Sequence, residues 1–254
     1  MKYVKLGLEG AVGRITLARP EKKNALDRVM ADELAEALFT LSESPAKVVA
    51  LDAEGPDFCA GADLEALEKM LDATRQEHID DAKALGHVFH TIRRMEKPVV
   101  ALVKGRAFAG GAGLASACDI VLAHEDAKFA YPEITIGFVP AMVMTMLRRS
   151  MGEKQAFDLV STGRILSADE ARNMGLVSRV FAAREFEPLA NAVLNQVAAA
   201  PASAMAATKS LFYKLDTVAF LDGISAGIVV NADARATADF REGVKRFTAR
   251  KGDK

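Results

Sequence analysis

The sequence predicts an α/β fold, with largely parallel sheets covered by helices and a helical segment at the C-terminal end. Three observations carry this. Short uncharged runs, Val48-Val49-Ala50-Leu51 and Val99 to Val103, have the length and apolar character of buried strands. Each is followed by a turn rich in glycine and alanine and then by helically spaced apolar residues, and repeated strand and crossover helix is the pattern of a parallel sheet. From about Pro201 strand candidates stop and helical patterning continues to Phe247. A chain of 254 residues buries roughly 70–75% of the surface it exposes when unfolded, enough for a core that needs neither disulfide nor metal.

Along the chain, Tyr3 to Leu8 and Gly13 to Leu17 alternate like a hairpin around Glu9-Gly10. Asp27 to Glu43 carries Val29, Met30, Leu34, Leu38 and Leu41 at helical spacing. The strand at 48–51 ends at Glu54-Gly55-Pro56, and Phe58 to Asp63 leads into a helical pattern from Leu64 to Leu71. A helix over about Asp80 to Met95 is stopped before Pro98. After the strand at 99–103, Gly105 to Leu114 leads to a strand over Cys118 to Leu122, and then to Phe129 to Ile134. Ser167-Ala168-Asp169-Glu170 has capping-box spacing and predicts a helix closing at Met174-Gly175, before a strand over Leu176 to Phe181.

Composition narrows the function. Thirty-three basic and 34 acidic side chains leave a net charge of −1, which provides no field for nucleic acid or an anionic membrane. Cys59 and Cys118 cannot form a disulfide framework and suit a reducing compartment. His78, His87, His90 and His124 lack clustered partners, so no metal site is expected. The N-terminus MKYVKLGLEG has no apolar signal core. The uncharged stretch from Pro188 to Thr208 contains Asn191, Asn195, Gln196 and Pro201 and reads as a helix with its connection, not a membrane span. The expected location is the cytoplasm.

The chemistry falls in the two small-residue turns. Between a buried strand and a helix, such a turn leaves backbone N–H groups unpaired where the helix dipole favours negative charge. Two converging amides would make an oxyanion hole; close packing of strand on helix would equally call for small residues. Neither turn ends in the Lys-Ser/Thr of a P-loop, and Gly105 to Gly113 lacks the spacing of a dinucleotide fold.

In this order, Arg19-Pro20 with Asn24-Ala25-Leu26, FCAGADL at 58–64, Lys97 to Ala101, AGGAGLASACDI at 109–120, FAYPEITIGFVP at 129–140, Thr162-Gly163 and Ala171 with Gly175-Leu176-Val177 resemble the enoyl-CoA hydratase/isomerase (crotonase) superfamily. The resemblance implies a crotonase-like ββα spiral core over residues 1–200 and a C-terminal helical trimerisation region over 201–254. It implies an acyl-CoA thioester substrate whose carbonyl oxygen, as an enolate forms, is held by the amides of Ala62 and Gly110. Glu133 matches the catalytic glutamate; apolar neighbours would raise its pKa toward the range useful for proton transfer. By the same resemblance Lys22, Lys23, Ala25, Ala60, Gly61, Asp63, Gly111, Gly113, Phe138 and Pro140 line the substrate site. Coenzyme A belongs to the substrate, and no separate cofactor is expected.

Hydratases of this family carry a second glutamate three residues beyond the oxyanion-hole glycine, where this chain has Gly113. Hydration of a 2-enoyl-CoA in acyl-CoA metabolism is the commonest activity implied; Δ3,Δ2 double-bond isomerisation is what a single carboxylate suits. A non-catalytic acyl-CoA- or RNA-binding member is a further alternative, disfavoured for RNA by the charge balance. Phe212, Leu215, Phe220, Leu221, Ile224, Ile228 and Val229 offer an apolar face for a homotrimer or a dimer of trimers. A neighbouring tail with Phe247, Arg250 or Lys251 is expected near coenzyme A.

Overall fold

The structure is a computed structural model that describes residues 1–252, with side chains through residue 249. Arg250 and Lys251, expected near coenzyme A, therefore lie outside the described side chains.

Strands β1 (Val4–Glu9) and β2 (Val12–Leu17) form the antiparallel hairpin, turning at Gly10 with φ +61°. Helix α1 (Arg28–Ser42) starts where the Asp27 side chain accepts the Met30 N–H at 2.8 Å. Then come β3 (Val48–Ala53), α2 (Leu64–Lys69), α3 (Arg75–Arg94), β4 (Val99–Val103), β5 (Arg106–Phe108), α4 (Gly110–Ala117), β6 (Ile120–His124) and β7 (Lys128–Ala130). A 3-10 turn over Pro132–Ile136 leads to α5 (Val143–Ser150), α6 (Glu153–Thr162), β8 (Leu166–Ser167), α7 (Ala168–Asn173), β9 (Arg179–Phe181) and α8 (Phe186–Ala198). Helices α9 (Ala202–Lys214), α10 (Phe220–Ala236) and α11 (Ala238–Gly252) complete the described chain.

The main sheet has the order β1-β2-β3-β4-β6-β9, parallel at every pairing except β1 with β2. A small second sheet has the order β5-β7-β8. The β4 residues are buried on both faces: Val99, Ala101 and Val103 pack with α1 and α3, and Val100 and Leu102 pack under Phe186, Ala190 and Leu194 of α8. Double-sided burial is why β4 reads as a continuous apolar run.

Helix α3 begins five residues before the expected Asp80. Its true start is a capping box at Thr74 and Glu77, and its first turns are polar enough to hide the apolar period. The strand expected over Leu176 to Phe181 is shorter, beginning at Arg179. Helix α9 is held to the core by Lys209, 5% exposed, whose ammonium donates to the Ile92 and Lys97 carbonyls at 2.8 and 2.9 Å and to Asp119 at 2.7 Å. Tyr213 donates its hydroxyl to the other Asp119 oxygen at 2.7 Å, and the Arg93 guanidinium lies over its ring. The apolar side chains expected on the C-terminal helices, Phe212, Leu215, Phe220, Leu221, Ile224, Ile228 and Val229, are all exposed on the single chain. Among the described residues no helix is long and apolar enough to cross a membrane.

Candidate active site

The first turn is shaped by the loop at 19–26. Lys23 and Asn24 adopt left-handed φ values of +53° and +54°, conformations that a short polar side chain such as asparagine tolerates best. The buried Asn24 amide accepts the Arg19 N–H at 2.8 Å and donates to the Glu54 and Asp57 carbonyls, both at 2.9 Å. The fixed loop then pairs with the turn: Ala60 N–H donates to the Lys23 carbonyl, Leu26 N–H to Gly61, and Asp63 N–H to Leu26. Between these bonds the Ala62 N–H has no acceptor among the described residues, and Ala62 is exposed.

The second turn is bent at Ala109, an L-residue at φ +49°, ψ −123°. Such a conformation costs about 1–3 kcal/mol unless its surroundings impose it. Here Ala109 N–H donates to the Ala130 carbonyl at 2.8 Å, and its own carbonyl accepts the Gly113 N–H at 2.9 Å. The bend leaves the Gly110 N–H at the start of α4 without an acceptor among the described residues.

Gly61 brings the two turns together. It has φ +96°, and a Cβ there would stand 2.8 Å from the Ala109 Cβ, 2.9 Å from the Phe108 carbonyl oxygen and 3.5 Å from the Gly110 nitrogen. An isolated bridge between Cys59 and Ala107 joins the strands behind them. The turns carrying the two unpaired amides are thus held side by side, with Leu26 and Leu85 side chains beside Gly110.

Glu133 follows Pro132 in the 3-10 turn after β7 and is buried. The turn is fastened to α4 because the Tyr131 hydroxyl lies 2.9 Å from Ser116 Oγ, which in turn donates to the Ala112 carbonyl. Burial pushes the Glu133 carboxyl above its ordinary range, and no neighbouring charge contributes to the shift. Its Oε2 has no hydrogen-bond partner among the described residues. Burial also raises the Tyr131 phenol, with the Glu133 carboxylate adding to the effect, so the two groups are close. An isolated, half-dehydrated carboxylate of this kind is suited to taking and returning a proton.

Other expected site residues sit elsewhere. The Asp63 carboxylate accepts the Glu65 N–H at 2.9 Å, capping α2, and an Arg19 N–H at 2.7 Å. Burial would raise its pKa, but Arg19 and the capping amides hold it below the ordinary range. Its carboxylate therefore serves the scaffold, as does Ala25, which is buried. Gly111 is glycine because a Cβ would come 2.3 Å from the Cys59 carbonyl oxygen. Gly113 is buried, and a Cβ on it would come 2.2 Å from Val143 Cγ1 and 3.2 Å from Phe89 Cζ. It is thus closed by α3 and α5 and does not open toward a ligand. Phe138 is 54% exposed, so it does not line an enclosed pocket, while Pro140 is buried. Lys22 is paired with Glu65 at the surface, Lys23 is exposed, and Ala60 is half-buried beside Ala62. No cluster of metal-ligating side chains occurs among the described residues.

Sequence reasoning missed the Tyr131–Ser116 pair, whose spacing follows no local period. Asn24 lay in a quoted motif, but its loop-closing role depends on carbonyls thirty residues and more away.

The profile described as Enoyl-CoA hydratase/isomerase matches residues 7–253. The mitochondrial enoyl-CoA hydratase of Pongo abelii is 41% identical over 179 residues, covering 69% of this chain and 60% of that protein. Enoyl-CoA hydratase domain-containing protein 3 of Rattus norvegicus is 31% identical over 245 residues, 94% of this chain and 79% of that one. The crystal structure of an enoyl-CoA hydratase from Mycobacterium smegmatis superposes with a TM-score of 0.94 at 32% identity, covering 98% and 96% of the two chains. The chain belongs to the enoyl-CoA hydratase/isomerase family and has the crotonase fold.

Proposed function

We propose that the protein moves a proton on an acyl-CoA thioester, with double-bond isomerisation of a 3-enoyl-CoA to the 2-enoyl-CoA as its reaction. The observation that carries this is one buried carboxylate, Glu133, free of neighbouring charge and accompanied by two unpaired amides. The thioester oxygen accepts hydrogen bonds from the Ala62 and Gly110 N–H groups. Glu133 takes a proton from C2, the negative charge spreads from the carbonyl oxygen to C4, and the same carboxyl returns the proton to C4. Fixed amides meet this charge without reorganising, each worth about 10²–10³ in rate. Coenzyme A is carried by the substrate, and the reaction calls for no other cofactor.

Hydration of a 2-enoyl-CoA is the second reading, favoured by the hydratase names of the Pongo abelii and Mycobacterium smegmatis proteins. It asks Glu133 alone to manage the water, since Val143 packs where a side chain at position 113 would lie. Incubation with 3-hexenoyl-CoA and with crotonyl-CoA in deuterated water separates the two. Isomerisation faster than hydration is expected. Hydration outrunning isomerisation reverses the order, and the absence of turnover and of C2 proton exchange removes both. Assembly into a homotrimer, or a pair of trimers, through the exposed face of α9 and α10 belongs to the same reading, as does a cytoplasmic location.

A further inference from the structure

Next to the oxyanion turn, α3 and the residue preceding α5 border an open cleft of about 610 Å3. Its floor is apolar, formed by Ile79, Gly86 and Met142, and its rim carries Lys83, His87 and His90. Among the described residues no acidic side chain lines it; Asp80, which pairs with Lys83, lies outside the cleft lining. We propose that this cleft receives the far end of the acyl chain and selects acyl groups that terminate in a carboxylate, making the substrate a dicarboxylic acyl-CoA. The proposal rests on the acyl-CoA reading above and names its substrate class.

Position comes first. Leu85 Cδ2 lies 3.5 Å from where a Cβ on Gly110 would stand, and the next residue, Gly86, is already cleft floor. On the opposite wall the Met142 sulfur lies 3.3 Å from a Cβ position on Gly86, and the following residue, Val143, closes over Gly113. Leu85 and Gly86 are neighbours on α3, so the cleft lies on the helix stripe adjoining the one that borders Gly110. A short acyl group whose carbonyl sits at Gly110 and runs over Leu85 enters it.

The chemistry of the rim comes next. Lys83, His87 and His90 are spaced i, i+4, i+7, which places them on one stripe of α3, beside the parallel apolar stripe of Ile79, Ala82 and Gly86. Lys83 gives one N–H to Asp80 at 2.8 Å and has two more to offer. His87 and His90 are exposed and have no hydrogen-bond or ion-pair partner among the described residues. A methyl-ended chain uses only the floor. A carboxylate-ended chain places its methylenes on the same floor and accepts hydrogen bonds from the rim.

Binding of glutaryl-CoA and adipyl-CoA, each against the methyl-ended thioester of equal carbon count, pentanoyl-CoA and hexanoyl-CoA, tests this by calorimetry without requiring turnover. At least one dicarboxylic thioester should bind about tenfold or more tightly than its match, the ratio supplied by a charge-assisted hydrogen bond. The surface variant K83M/H87Q/H90Q should erase that preference while leaving pentanoyl-CoA binding within about twofold and the Tm unchanged. Equal binding of the two classes overturns the proposal and leaves the acyl-CoA reading intact. Equal weakening of both classes in the variant also overturns it, since the rim would then serve the coenzyme A end. Failure of all four thioesters to bind removes the acyl-CoA reading and the proposal with it.

Discussion

Replacing Gly113 with alanine probes the packing that closes off the second carboxylate position. A Cβ there would come 2.2 Å from Val143 Cγ1, against an ordinary carbon contact of about 3.5–4.0 Å. Val143 is 4% exposed at the start of α5, and its branched side chain has few rotamers into which to retreat. Overpacking at the upper end of the usual range costs about 3 kcal/mol. Replacing a helical glycine with alanine returns about 1 kcal/mol, so the net loss is about 2 kcal/mol. For a chain of this size that is a Tm fall of about 4–8 °C. V143A alone opens a small cavity and costs about 1–2 kcal/mol. In G113A/V143A the added methyl occupies the vacated volume, so the double variant should be more stable than the sum of the singles by about 1–3 kcal/mol. Urea unfolding of all four proteins at equal concentration measures this coupling. G113A as stable as the parent, or strict additivity, would refute the packing argument. The same geometry means that G113E cannot add a working carboxylate unless Val143 is also cut back. G113E/V143A is then the variant expected to raise hydration of crotonyl-CoA relative to isomerisation.

Gly110→Ala should retain most activity, because its Cβ would meet only the Leu26 and Leu85 methyls at 3.3 and 3.5 Å, whereas Gly110→Pro deletes the N–H and should cost about 10²–10³ in kcat; equal rates in the two would place the oxyanion elsewhere. Glu133→Gln should lower turnover by about 10²–10⁴ with thioester binding retained, and wild-type turnover in this variant would take Glu133 out of the reaction. Because burial raises the Glu133 pKa above 4.5, the native state keeps a proton that the unfolded chain releases. Stability of the parent relative to E133Q should therefore fall as pH rises from about 4.5 through the raised native value and stay level beyond it; parallel unfolding profiles between about pH 4 and pH 8 would contradict the assignment. Lys209→Met leaves Asp119 without its buried cation and should destabilise the chain by about 3–5 kcal/mol, read by urea unfolding; unchanged stability would show that α9 is held by other contacts.

What could be read from the sequence was what repeats or is punctuated locally. The β3 and β4 runs, the Ser167 capping box and the two small-residue turns each carry their signal within a few residues, and the structure has an element or a bend at each. The start of α3 was hidden because its first turn, Arg75 to His78, is wholly polar, leaving only the Thr74–Glu77 cap as a mark. Strand β5 has three residues, too few for a period, and exists because Arg106 to Phe108 pair with Lys128 to Ala130. At the site, the residue types of Ala62, Gly110 and Glu133 were visible. The scaffold duty of Asp63 was not, because its partner Arg19 lies far back in the chain. Nor was the closure of Gly113, which depends on a valine from a different helix.

The two turns that carry the unpaired Ala62 and Gly110 amides are distant in sequence and, among the described residues, are brought together by Gly61, the Cys59–Ala107 bridge and the loop held by Asn24. Neither turn can form the proposed oxyanion hole by itself, and a partly ordered chain would contain no fraction of it. On the proposed function, activity is a readout of complete folding: during refolding it should return in a single late phase, after the helical signal and together with burial of the long-range contacts.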